Sequence, residues 1–247
     1  MKLKTPLIFA VIALVPALAG VLIAGAVWMT RGPNPHLLPQ MVGPISAGTD
    51  RPVWVQKYQV TIAEWNACFD AGGCALWLTT RPDQAAAQTP ATGISYPDAI
   101  QYLSWLNDAT GQAFRLPSVA EWTEIAGSVL PEKSDPIFTD PALSWASEYL
   151  TDLDYPRAIK PVGSFSTTQS GVADLDGSVW EWTSDCYSGT QTNIDADRCP
   201  AFYVAGLHIA AMSYLERDPA RGGCAVGAPP AHLGLRLFSD SHPPKES

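Results

Sequence analysis

Five cysteines are the side chains of this chain best suited to metal or redox chemistry: Cys68, Cys74, Cys186, Cys199 and Cys224. Paired thiolates bind soft metals such as copper(I), and they form disulfides in an oxidising compartment. The first two cysteines and the next two lie close enough along the chain for two local disulfides, each contributing roughly 2–3 kcal/mol. Four cysteines allow three connectivities. A zinc site is the alternative, although no C-x-x-C pair supports it.

The fifth cysteine, Cys224, has no such neighbour. Together with His208 and His232, it would form a Cys/His site suited to copper or zinc. The alternative is a small buried thiol and two exposed histidines, and the sequence favours it because its four histidines are scattered. No Ser-His-Asp order, phosphate-binding loop or dinucleotide fingerprint is present. Cys224 is therefore the one candidate for catalysis.

Three helices are needed to position these side chains, and each helix is identified by its first residues. Thr61–Glu64, Ser95–Asp98 and Ser118–Glu121 each begin with a hydroxyl and end with an acid, which is the pattern of a capping box. Gly72 and Gly111 follow the first two helical patterns and predict their ends.

Short apolar runs among Gly and Pro residues predict the strands. They cover residues 53–60, 161–165, 179–182 and 233–238. Few helices, short strands and much irregular chain predict an α+β domain that is rich in loops.

Five segments carry a resemblance to a known family. They are Tyr58–Trp65, Ile94–Leu106, Gly111–Trp122 (which contains R-L-P-S and A-E-W), Pro161–Asp185 (P-V-G-S-F and G-V-A-D-L-D-G-S-V-W-E-W-T-S-D) and Leu233–Leu237 (L-G-L-R-L). In order and spacing they resemble the motifs of the formylglycine-generating enzyme, or sulfatase-modifying factor, family. The resemblance covers residues 53–238. It implies a compact variant of the C-type lectin fold, with cysteines placed like the four that form the two predicted disulfides.

The family's oxidases use two cysteines after a G-G-S segment to bind copper(I) and to oxidise a cysteine of their substrate. Gly222 lies too close to Gly234 for the family's usual spacing, whereas Gly206 lies at the expected distance. In that register the two thiols would fall near Ala211 and Glu216, and neither position holds sulfur; with Gly222 as the start, the first thiol would fall near Gly227, which holds none either. The resemblance therefore predicts a member without the oxidase pair, for which copper is not expected.

A metal site of a different kind is also implied by the resemblance. Relatives bind calcium through the Asn side chain, a backbone carbonyl and the Glu of G-N-V-W-E-W. The corresponding residues here are Ser178, Val179 and Glu181. Calcium prefers about six to eight oxygen ligands, and a hydroxyl is a weaker ligand than an amide oxygen. Calcium is thus the one cofactor that the sequence leaves open.

Most of the motif residues have a structural interpretation. Trp122, Trp180 and Trp182 are predicted to lie in the core, Arg115 and Arg236 to brace loops through carboxylates, and Glu121 to complete its helix cap.

The N-terminus predicts a membrane anchor. Leu7 to Met29 carries no charge and is long enough to cross about 30 Å of hydrocarbon. Lys2 and Lys4 precede this span, so the positive-inside rule exports the rest of the chain. A cleaved signal peptide is the alternative, but the apolar run is longer than such peptides need. The sequence predicts a single pass through the inner, cytoplasmic membrane with the C-terminal domain in the periplasm.

The net charge of the exported part restricts the classes of molecule that it can bind. Without Lys2 and Lys4, the exported part keeps 13 of the 15 Lys and Arg residues against all 24 Asp and Glu residues, a net charge of −11. Such a surface repels nucleic acid, so none is expected as a partner. The predicted organisation is residues 1–30, a cytoplasmic tip and transmembrane anchor; 31–48, a tether rich in Pro and Gly; 49–240, the family domain; and 241–247, a tail.

Three functions follow. The first is an accessory or maturation protein for a periplasmic client, since the chain resembles a branch of the family found alongside genes for copper nitrite reductases of denitrification. The second is a formylglycine-generating oxidase that converts a cysteine of a sulfatase, with a site rearranged around Cys224. The third is a lectin-like domain that binds its ligand through exposed Trp residues.

Overall fold

All three predicted capping boxes are present in the computed structural model, which describes residues 33–132, 158–187, 199–219, 224–226 and 232–243. In each, the cap hydroxyl accepts a backbone N–H three residues on, and the acid there accepts the N–H of the cap. Gly111 ends the second helix with a φ of 65°, a left-handed conformation that favours glycine. The helices are α1 (Ile62–Asp70), α2 (Tyr96–Thr110) and α3 (Val119–Ala126).

Nine short strands lie in the described part of the chain, and they form two sheets. The strands are β1 (Met41–Ile45), β2 (Val53–Gln56), β3 (Phe114–Arg115), β4 (Val179–Cys186), β5 (Ala201–Ala205), β6 (Ile209–Ser213), β7 (Cys224–Val226), β8 (His232–Gly234) and β9 (Phe238–Ser239). One sheet has the order β1-β2-β9-β3 and the other β7-β6-β5-β4-β8. Pairing is antiparallel except between β4 and β8. The predicted α+β arrangement with abundant loops is confirmed.

The predicted tether, residues 31–48, is corrected by β1. This strand pairs with β2, and Ile45 and Ala47 are buried in a core that also contains Trp122. Proline and glycine in this segment suggested a spacer. The pairing of β1 shows instead that residues from Met41 onward are part of the domain.

A second correction concerns the predicted strand at residues 161–165. The carboxylate of Asp174 accepts hydrogen bonds from the backbone N–H groups of Gly163 and Phe165, at 2.5 and 2.8 Å. These bonds hold the segment in turns and take the donors that a strand would use. The predicted strand at residues 233–238 is not a single strand either. Two short strands, β8 and β9, are present in its place.

Both predicted disulfides are confirmed. Cys68 bonds to Cys74 at the end of α1, and Cys186 at the end of β4 bonds to Cys199 just before β5. The second disulfide ties together two strands that are also paired through their backbones.

Within the described part of the chain, no helix has both the length and the hydropathy needed to cross a bilayer. The predicted anchor, residues 1–30, lies outside the described residues.

Candidate functional site

The side chains of strand β4 point alternately towards two different hydrophobic cores. Trp180 and Trp182 are buried in the larger core, which also contains the buried apolar side chains of α2. Glu181 points to the opposite face because neighbouring residues of a strand alternate. On that face Trp122 of α3 belongs to the second core. All three Trp residues lie in the core, as predicted.

The carboxylate of Glu181 is completely buried and accepts five hydrogen bonds. Gln59 Nε2 donates at 2.9 Å and Trp122 Nε1 at 2.7 Å. Arg236 donates from Nε to both carboxylate oxygens at 3.0 Å and from Nη2 at 2.8 Å. Because a carboxylate has about four lone-pair sites, no acceptor capacity remains.

The guanidinium of Arg236 joins distant segments of the chain. Besides Glu181, it donates to the carbonyls of Gln56, Lys57 and Ala173 at 2.7 to 2.9 Å. The side chain is 0% exposed, like that of Glu181. The prediction that Arg236 braces loops through a carboxylate is confirmed, although the sequence did not identify Glu181 as that carboxylate.

The other predicted brace lies nearer the surface. Arg115 binds both oxygens of Glu121, at 2.8 and 2.7 Å, and also contacts Asp240. Glu121 at the same time accepts from Ser118 and completes its cap, as predicted. These residues fix the start of α3 to the end of β9.

The residues predicted to bind calcium do not fit a hard cation. Glu181 has no free lone pair, and a guanidinium already neutralises its charge. The hydroxyl of Ser178 donates to the carbonyl of Ala158 at 3.0 Å. The predicted set therefore leaves at most two oxygens, the hydroxyl of Ser178 and the carbonyl of Val179, which fall far short of the six to eight oxygens that calcium takes. Among the described residues there is also no cluster of three or more His, Cys, Asp or Glu side chains that could hold a metal.

The predicted positions of the oxidase thiols lie in and just after β6. Ala211 is fully buried and lies opposite Tyr203 of β5 and Val226 of β7. Glu216 follows in the turn after the strand, where its backbone N–H bonds to the carbonyl of Ser213.

Gly206 supports this register. It lies at the turn between β5 and β6, where an added Cβ would come within 2.5 Å of Trp180 Cγ and Nε1. Only glycine fits against the flat indole. This steric need explains a glycine at the position that the resemblance assigns to the start of the family's G-G-S segment.

Cys224, the one candidate for catalysis, begins β7 and lies opposite Met212 of β6. Strand β7 is one edge of the five-stranded sheet, and β8, which contains His232, is the other. Four strand spacings separate these edges, or about 19 Å. The backbones of Cys224 and His232 are therefore too far apart for the two residues to form one site, in line with the alternative that the sequence favoured. His208 lies with its ring 4.2 Å from that of Trp180, beside β4.

Sequence reasoning missed an ion pair that fixes the turn after β6. Arg217 donates to both oxygens of Asp98, at 2.6 and 2.7 Å, while Asp98 also caps α2. The backbone N–H of Tyr96 donates to the carbonyl of Tyr214. Beside these contacts Leu215 is 63% exposed and Tyr214 is 39% exposed. The sequence identified Asp98 as the acid of the α2 cap. Nothing near Arg217 in the sequence indicated that it would pair with Asp98.

Because of this ion pair, the free energy of unfolding should depend on pH. Burial alone would raise the pKa of Asp98, but hydrogen bonds from Arg217 and Ser95 outweigh it and hold the pKa below its usual value. The ionised carboxylate of Asp98 contributes fully to the free energy of unfolding above about pH 4. That contribution is lost as the pH falls through the lower pKa that Asp98 has in the folded state. We expect Asp98→Asn to cost about 1 kcal/mol at pH 7, since Arg217 is half exposed, and less at pH 3. Urea unfolding at both pH values measures this, and an equal cost at both would contradict it.

Comparisons with known proteins agree with these motifs. The family model of the sulfatase-modifying factor enzyme 1-like domain matches residues 19–241. The formylglycine-generating enzyme of Mycobacterium tuberculosis is 25% identical over 222 residues, covering 73% of this chain and 69% of that enzyme. The formylglycine-generating enzyme of Bos taurus is 30% identical over 182 residues, covering 66% of this chain but only 46% of the enzyme.

A solved structure shares the fold. PvdO from Pseudomonas aeruginosa superposes with a TM-score of 0.51 at 21% identity, covering 81% of this chain and 92% of that one. Because the family model matches most of the sequence, the chain belongs to the family of the sulfatase-modifying factor enzyme 1-like domain.

Proposed function

We propose that this protein is a periplasmic accessory protein, anchored in the inner membrane, which keeps the formylglycine-generating scaffold without its oxidase chemistry. The observation that carries this proposal is Ala211. It fills the predicted position of the first thiol, fully buried in the middle of a paired strand. A methyl group there cannot bind a metal or exchange electrons.

The turn after β6 offers a surface for a client in place of a reactive site. Tyr214 and Leu215 are exposed next to the predicted position of the second thiol. The Arg217–Asp98 ion pair and the bond from Tyr96 to Tyr214 hold this turn on α2. An ordered apolar surface loses little conformational entropy when it binds, which favours a protein partner.

The client in this proposal is a copper nitrite reductase or its maturation machinery, as the resemblance to the nitrite reductase-associated branch implies. The location rests on the uncharged span from Leu7 to Met29 and on Lys2 and Lys4 before it. The acidic exported domain suits a soluble protein client rather than nucleic acid or an anionic lipid surface.

The second candidate is a formylglycine-generating oxidase. The names of the curated relatives favour it, at 25% and 30% identity. Such an oxidase would have to act through Cys224. A lectin-like role remains a prediction, and Trp77, at 48% exposure, is the most exposed indole among the described residues.

Two experiments separate the candidates. The full-length protein, loaded with copper(I), is incubated with a cysteine-containing sulfatase peptide, and oxygen uptake and aldehyde formation are measured. The Mycobacterium tuberculosis relative serves as the reference. We expect no turnover; turnover that Cys224→Ser abolishes would establish the oxidase and reject the accessory role.

The accessory role itself is tested in the native cell. Deleting the gene should lower copper nitrite reductase activity at least several-fold, and the wild-type gene should restore it. Leu215→Asp should fail to restore it, whereas Trp77→Ala, which changes an exposed residue elsewhere, should succeed. Unchanged activity after deletion would reject the nitrite reductase as the client.

A further inference from the structure

A small cavity lies beside the Glu181 network. It has a volume of ≈ 10 Å³, and Gln59, Asp174, Ser178 and Val179 are among its lining residues. Two of the three residues predicted to bind calcium, Ser178 and Val179, therefore face a real cavity.

Gln59 places a neutral amide at this cavity. Its side chain is almost fully buried, and Nε2 donates to Glu181 Oε1 at 2.9 Å and to the carbonyl of Asp174 at 3.1 Å. Its Oε1 has no hydrogen-bond partner among the described residues. The amide thus uses its donors on the acceptors that a cation would bind, and it leaves one neutral acceptor unused.

Positive charge is already supplied from two sides. The guanidinium of Arg236 lies against Glu181, and Lys160 lines the cavity with its ammonium 5.2 Å from the centre of the Phe165 ring. A divalent cation entering here would meet Lys160 and the carboxylate of Asp174, which already accepts hydrogen bonds from the backbone N–H groups of Gly163 and Phe165.

We propose that Gln59 takes the place of a divalent cation through a hydrogen-bonded lock, so that this domain folds independently of calcium. The lock consists of Gln59, Glu181, Trp122 and Arg236. It connects the segment before α1, strand β4, helix α3 and the link between β8 and β9. The inference does not depend on the proposed function, because it concerns only how the domain is held together.

The first test compares the melting temperature of the full-length protein in EDTA and in calcium. A site filled at 100 times its dissociation constant would raise the melting temperature by about 5–10 °C in a domain of this size. We expect a shift below about 1 °C between EDTA and 1 mM calcium. A saturable rise with calcium concentration would overturn the proposal.

The second test restores a charge at the cavity. Gln59→Glu would bring a second carboxylate to Glu181, at the place where Gln59 Nε2 now lies 2.9 Å from Oε1. Like charges at this distance repel, and a cation relieves the repulsion. We expect the variant to melt about 5–10 °C lower in EDTA and to regain at least half of that loss in 1 mM calcium. Gln59→Met, the matched control, removes the same hydrogen bonds without adding charge and should lose stability equally in both conditions. A Gln59→Glu protein that gains nothing from calcium would show that Gln59 does not select against the cation.

Discussion

Replacing Arg236 with methionine is expected to destabilise the domain by roughly 3–5 kcal/mol, because it leaves the buried carboxylate of Glu181 without its counter-charge. Gln59 and Trp122 would still donate to that carboxylate, but neither carries a charge. Three backbone carbonyls would also lose their donor. Equilibrium unfolding in urea, followed by Trp fluorescence, measures the change directly.

Arg115→Met is the matched control. Arg115 also binds both oxygens of a glutamate, but its side chain is 34% exposed, so water can take its place, and Ser118 still donates to Glu121. Its loss should cost about 1 kcal/mol. In the double variant Arg236→Met with Glu181→Gln, no buried charge remains unpaired, and part of the loss should be recovered. A cost for Arg236→Met no larger than that for Arg115→Met would contradict the role given to the buried pair.

Local features of the fold were predictable from the sequence. Capping boxes are read within four residues, and all three were predicted at the correct positions, since the hydroxyl and the acid contact each other's backbone. The disulfide pairs were also close along the chain. Alternation along β4 placed Trp180 and Trp182 in the core, although the position of Glu181 between two cores was not foreseen.

Features that depend on distant partners were not predictable. Nothing near Met41 shows that it will pair with Gln56, so Pro and Gly suggested a tether where β1 forms. Nothing near Gly163 shows that Asp174 will take its N–H, so an apolar run suggested a strand where the chain turns. Both errors arise because single-sequence patterns report the preferences of a segment rather than the partner that overrides them.

The same limit applies to the candidate site. The predicted calcium ligands came from one short motif, and Ser178 and Val179 do line a cavity. Glu181, in the same motif, is occupied by side chains that come from the segment before α1, from α3 and from the link before β9. The motif alone cannot show whether its acid faces a metal or an arginine, since that depends on residues far along the chain.

Gly206→Ala is the most direct test of where the β5–β6 hairpin lies. The predicted thiol positions, in and just after β6, move with this hairpin. The added methyl group would lie within 2.5 Å of Trp180, an indole that is 2% exposed and packed in the larger core. The ring cannot move away without disturbing that core, so we expect a loss of about 2–3 kcal/mol in urea unfolding. His208, packed edge-on against the same ring, should change its NMR chemical shifts as the indole is displaced.

Gly127→Ala is the control for this substitution. At Gly127 the backbone φ is −54°, and the nearest atoms to an added Cβ are carbonyl oxygens at 3.4 and 3.7 Å, which is ordinary contact. Alanine there should leave stability unchanged or raise it by about 0.5 kcal/mol, because it restricts the unfolded chain. If Gly206→Ala were tolerated as well as Gly127→Ala, Gly206 would not be pressed against Trp180. The assignment of Ala211 and Glu216 to the positions of the missing thiols would then lose its structural support.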